Sequence, residues 1–294
     1  MNSKTIFTAI GILGFSLAGT ASATWEWDFW NQPDNCNTGQ TCADDPDYVN
    51  LRNYAGTSTT SDPAPGVTAT AWSNSEPPLD AESYGQGVLK QRYLGSYGGG
   101  LGVVNSSGDG DHEVDNQGWI DSVLLSFDSA VTLSALTFGW VESFADSDFT
   151  LAAYVADDGP NNSTDLTQWE YDQLTQKGWE VVGTYFAEGS ASEADIASDD
   201  DPVTFSVNSG NVSSSYWLVS SLNPKLDNGL ANFSNTVKDK FKVDAAAGHA
   251  PPQPPVQVPE PSIVPMFLIG MLGAAWMHRR RIQSGASPSG DTVA

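Results

Sequence analysis

Apolar and polar residues alternate along the middle of this chain with the two-residue period of β-strands. Residues 122–127 and 133–141 alternate and carry β-branched and aromatic side chains, with the turn-like pair Asp128-Ser129 between them. Segments 149–155, 179–186, 202–207, 216–222 and 241–243 follow, each bounded by Gly, Asp, Asn or Ser. From residue 25 to about 94 the chain is loop-rich, although Val67, Ala69 and Ala71 mark a further strand over 67–72. Many short strands separated by turn residues predict an antiparallel β-sandwich or jelly roll.

One segment leaves the two-residue period. Over 165–177, Leu166, Trp169 and Leu174 recur at helical spacing, with Thr164 or Asp165 as N-cap and Gly178 as the stop. The pattern predicts a single surface helix packed on the sandwich through those three side chains.

The two longest apolar runs lie near the ends. Lys4, the apolar run 6–17 and the small residues Ala21 and Ala23 have the order of a cleaved signal peptide, expected over 1–23. Near the other end, a Pro-rich run over 249–261 precedes an apolar run over 263–277 and then Arg279, Arg280 and Arg281. The Pro-rich run favours polyproline II, a spacer of about 3.1 Å per residue and roughly 30 Å overall. As a helix the apolar run would cover roughly 22 Å, so 262–281 is expected to be one short transmembrane helix with its arginines held in the cytoplasm. Residues 282–294 would then be a cytoplasmic tail, and 24–248 a β-rich extracytoplasmic domain.

The motif Pro259-Glu260-Pro261, the apolar span and Arg279, Arg280 and Arg281, in that order, resemble the PEP-CTERM sorting signal of Gram-negative bacteria. That resemblance implies export across the inner membrane, temporary anchorage there, and processing by an exosortase at the sorting motif. The mature domain would end at the cell surface or in the extracellular matrix.

Composition narrows the partners. The chain holds 36 Asp and Glu against 12 Lys and Arg, a formal net charge of −24. Such a field repels nucleic acid and anionic lipid. Ten Trp, nine Tyr and twelve Phe require burial and so argue for a folded domain. The two cysteines, Cys36 and Cys42, are expected to pair in an exported chain, closing a small loop worth about 2–3 kcal/mol. Three histidines in the whole chain give zinc too few ligands.

Candidate chemistry concentrates after a glycine-rich run, Gly98 to Gly102. Asp109, Asp111, Glu113, Asp115 and Asn116 supply the hard oxygen ligands that calcium takes, although their spacing is not that of an EF-hand. The rival is a solvated turn in which Asp115 and Asn116 bond their own backbone. Glu113 and Asp115 also suggest a degraded glycoside hydrolase, a reading that needs two facing carboxylates. His112-Glu113 lacks the second histidine of a zincin, and the chain has neither a Gly-x-Ser-x-Gly elbow nor a phosphate loop.

The glycine run, Glu113 to Asn116, Phe138-Gly139-Trp140, Gly178-Trp179 and Tyr216-Trp217-Leu218 are together similar to a group of exosortase-dependent surface proteins. That similarity implies a secreted β-rich domain and brings no catalytic residues. The leading expectation is therefore a non-enzymatic surface or matrix protein. The alternative is a calcium-dependent carbohydrate-binding module that stacks sugars on exposed aromatics, with exopolysaccharide as the natural partner.

Overall fold

The computed structural model describes residues 24–29, 48–74, 87–97, 99–105, 113–141, 147–156, 165–167, 169–186, 202–227, 239–252 and 279. The chain divides into a unit Met1–Pro251 and a unit Pro252–Ala294, and every strand lies in the first. The strands are β1 (Thr24–Asp28), β2 (Tyr48–Val49), β3 (Leu51–Tyr54), β4 (Thr57–Ser58), β5 (Val67–Asn74), β6 (Leu89–Tyr97) and β7 (Gly100–Val104). They continue with β8 (Val114–Asp115), β9 (Asp121–Val141), β10 (Phe149–Tyr154), β11 (Trp179–Tyr185), β12 (Val203–Ser206), β13 (Ser214–Ser221) and β14 (Lys240–His249).

Every pairing is antiparallel, and the strands form two packed sheets. One sheet runs β11-β10-β13-β9-β5, with β3 and the first half of β6 beyond β5. The other joins β7, β14, β1 and β4 with the second half of β9, and β12 pairs outside it.

Two strands belong to both sheets. β6 leaves β5 after Arg92 and pairs with β7 from Tyr93 onward. β9 runs for 21 residues, pairing with β5 through Phe127 and with β13 through Ser126 and again at Val131, then with β14 from Thr132 and with β12 from Ala135 onward. Asp128 and Ser129 are exposed, as a turn would be, but they mark the crossing between sheets rather than a reversal of the chain. Against β13 the register jumps from Ser126–Tyr216 to Val131–Ser214, so the extra residues of β9 bulge and bend it.

Inward residues of both sheets share one core. Phe138 stacks on Phe241 at 4.1 Å and meets Phe149 edge-on at 4.9 Å, and Phe149 stacks on Tyr185 at 4.8 Å. Trp27 and Trp217 are fully buried and donate their indole N–H to the carbonyls of Pro65 (2.8 Å) and Ser214 (2.9 Å). This satisfies the polar handle that burial would otherwise strand.

A second apolar layer lies on the outer face of the first sheet. Leu166, Tyr171 and Leu174 are fully buried there against Trp72, Leu124 and Leu218, with Trp169 packed partly against them. The expected helix over 165–177 shrinks to α1 (Tyr171–Leu174) followed by a 3-10 turn, Thr175–Lys177. Its cap is a Glu170–Gln173 capping box rather than Thr164 or Asp165, and it ends at left-handed Gly178 as expected. Residues 165–167 and 169–170 instead form a non-helical arm, turned where the Trp169 N–H donates to the Leu166 carbonyl at 3.1 Å and pinned where the N–H of Leu89 donates to the Trp169 carbonyl at 2.8 Å.

The membrane part of the expected architecture is corrected. Among the described residues no helix is long and apolar enough to cross a membrane, so the fold is mainly β with one short helix. Residues 1–23, Cys36, Cys42, Pro259, Glu260, Pro261, the run 263–277, Arg280 and Arg281 lie outside the described residues, and Arg279 is exposed.

Candidate functional site

Asp109 and Asp111 lie outside the described residues, whereas Glu113, Asp115 and Asn116 are buried. Asp115 accepts the N–H of Gln117 at 2.8 Å through Oδ1, and its carbonyl accepts the Ser221 hydroxyl at 2.8 Å. Asn116 donates to the Asp239 carboxylate and accepts the Asp239 N–H at 3.0 Å, a reciprocal clasp between the end of β8 and the start of β14. Asp121 accepts from Asn105 at 3.2 and 3.3 Å, while Arg92 donates to Ser73 at 2.6 Å.

These groups close one end of the sandwich. Burial, and then the like charge of Asp115, push the Asp121 carboxyl well above the usual carboxylate range; the Asn105 hydrogen bond and the Arg92 charge offset this only in part. Among the described residues, no three His, Cys, Asp or Glu side chains are placed to hold a metal ion. Glu113 and Asp115, the candidate glycosidase pair, are 9% and 4% exposed, too enclosed to flank a glycosidic bond. Asp115 makes the local bond of the turn reading, its carboxylate capping the backbone two residues on, but the turn is enclosed rather than solvated and Asn116 bonds Asp239 instead of its own backbone.

A different surface carries binding geometry. On the outer face of the first sheet, beside Asp165 and Thr167 of the arm, lies a cleft of about 710 Å³. Its floor comes from three strands in register. Thr68 of β5 faces Ser126 of β9, which faces Tyr216 of β13, and Thr70 lies beside Leu124 in the next row. At about 4.8 Å between strands, the Thr68–Ser126–Tyr216 row spans roughly 10 Å. Leu51, Trp72, Gln91, Phe127, Asp128, Asp165 and Thr167 complete the lining, and no Lys, Arg or His is among the described lining residues.

Internal bonds fix which way these polar groups point. Thr68 donates its hydroxyl to Asn53 at 2.7 Å, which leaves its lone pairs to accept. Thr70 accepts the Trp72 indole N–H at 2.9 Å and keeps its own proton to donate. Gln91 gives an N–H to the Asn50 carbonyl at 3.0 Å, leaving its amide oxygen. Asp165 accepts the Thr167 hydroxyl at 2.6 Å and the Thr167 N–H at 3.0 Å, both through Oδ1. Those two bonds hold its carboxyl below the usual range. The half-buried Tyr216 adds an aromatic edge.

Sequence reasoning missed this cleft. The alternation that marked Val67, Ala69 and Ala71 as inward also marked Thr68, Thr70 and Trp72 as outward, but nothing local pairs them with Ser126 and Tyr216. The expected supply of exposed aromatics is mostly spent in the core. Among the described residues, Tyr93 (37%) and Phe186 (45%) are the exposed large aromatics, and neither lines the cleft.

No known protein family matches the chain, and no curated protein matches it. Among solved structures, a similar chain is CBM32-3 from a family 31 glycoside hydrolase from Clostridium perfringens. It is 11% identical over 60% of this chain and 88% of that chain, with a TM-score of 0.28. Likeness at that level carries no argument about this chain.

Proposed function

We propose that the β domain is a non-catalytic carbohydrate-binding module carried by an exported protein. The cleft carries this reading. Its floor offers pre-oriented donors and acceptors at strand spacing, walled by an aromatic ring, an amide and carboxylates, which is the chemistry that matches the hydroxyls and ring faces of a sugar. A row of roughly 10 Å suits a disaccharide-sized contact.

The electrostatics favour binding over hydrolysis. A glycosidase needs a carboxyl raised so that it can donate a proton. In the cleft Asp165 is shifted the opposite way, while the raised acids Asp121 and Asp244 are not among its lining residues. A net charge of −24 disfavours polyanionic ligands. A glycan array with the purified full chain tests the reading, and T70V with Y216A should abolish the signal. Absence of any saccharide signal would sink it.

The address rests on the ends of the sequence. The signal-like run 1–23, Pro259-Glu260-Pro261 and the arginines support export and exosortase sorting to the cell surface or matrix, with exopolysaccharide as the partner there. Mass spectrometry of secreted and cell-associated fractions tests this. A stable product that keeps residues 263–281 would refute processing at the motif.

A further inference from the structure

We propose that the cleft selects saccharides bearing a protonated amine, free amino sugars, over their N-acetylated or uronic-acid counterparts. The inference rests on the cleft being a saccharide site and adds the charge of its ligand.

Two carboxylates rim the cleft, and they belong to different elements. Asp165 stands on the arm and Asp128 at the crossing of β9, and both are exposed to an incoming ligand. Both bonds to Asp165 use Oδ1, so Oδ2 keeps its capacity to accept. Asp128 is fixed at its backbone, where its N–H donates to the Gly66 carbonyl at 3.0 Å. Its carboxylate rests against Gly66, where a Cβ would come within 2.6 Å of Oδ2; the missing side chain makes room for it.

No cationic side chain among the described lining residues offsets these two charges. A neutral sugar would use the hydroxyl floor and could donate hydroxyls to the carboxylates, but it brings no charge to pair with theirs. A uronic acid would meet like charge, whereas an ammonium would meet two acceptors that carry charge. Asp165 is ionised at neutral and mildly acidic pH, where such an amine carries its proton, and its Thr167 bonds hold its carboxyl below the usual range.

The test compares glucosamine oligomers, N-acetylglucosamine oligomers and oligogalacturonate by titration calorimetry on the full chain. The amine form should bind about tenfold more tightly than the acetylated form, and the preference should shrink as salt rises. D165N should reduce binding of the amine form about fivefold and of the acetylated form by clearly less, with D128N acting in the same direction. An unchanged melting midpoint would show that D165N stays folded, as expected for an exposed side chain. Equal binding of amine and acetylated forms would overturn this inference and leave the saccharide reading standing. Failure of all three probes and of the array would remove both.

Discussion

The closed end of the sandwich and the outer cleft are built from the same residue types and put them to opposite uses. At the closed end, Asp115, Asn116, Asp121 and Asp239 are enclosed, and their hydrogen bonds run to one another, to Asn105 and to nearby backbone. In the cleft, Thr68, Thr70, Gln91 and Asp165 each make the bonds that orient them and keep at least one polar atom for a ligand. A run of acids in a sequence therefore indicates little by itself. What separates a clasp from a binding site is how much hydrogen-bonding capacity remains after folding.

Breaking the clasp should give the largest effect. N116A removes both bonds to Asp239 and leaves that carboxylate enclosed, so unfolding in urea should show a loss of about 3 kcal/mol. Saccharide binding by the protein that remains folded should be unchanged. Y216A should behave in reverse, weakening saccharide binding about tenfold while moving the urea midpoint little. An N116A variant that loses ligand but not stability would erase the distinction between the two regions.

A pH series sharpens it further. Burial and the charge of Asp28 push the Asp244 carboxyl up to about 6, and Asp121 is raised as well. Carboxyls raised in the folded state contribute stability that is fully present below their unfolded value near 4 and is lost as pH rises through the folded value. The domain should therefore be more resistant to urea at pH 4.5 than at pH 7, and D244N should flatten part of that slope. Asp165 works with the opposite sign, and being exposed it should contribute the least; D165N should leave the stability profile unchanged. A profile that rises toward pH 7 would overturn the assignment of Asp121 and Asp244.

Much of the fold is legible in the residue pattern. Strands β10, β11, β12 and β13 fall within two residues of the alternating segments, because burial on one face enforces the two-residue period. The run Gly98 to Gly102 carried no strand signal, for a physical reason. Glycine reads as a bend, yet Gly100 opens β7 because a Cβ there would strike the carbonyl of Val243 on β14. Asp128-Ser129 misled, since polar exposure marks a sheet-crossing bulge as readily as a turn. The cleft was not legible at all: Thr68, Ser126 and Tyr216 each look like ordinary outward positions until strand register aligns them.

The shared strand β9 also sets how this domain would carry tension. Its first half supplies Leu124 and Ser126 to the cleft, and its second half is laced to β14, the last strand before Pro251. A pull on the chain beyond Pro251 enters through β14 and crosses one ladder of hydrogen bonds to reach β9. From there it follows a continuous covalent backbone to the floor beneath the ligand. Load between ligand and tail thus bypasses the apolar seam between the sheets.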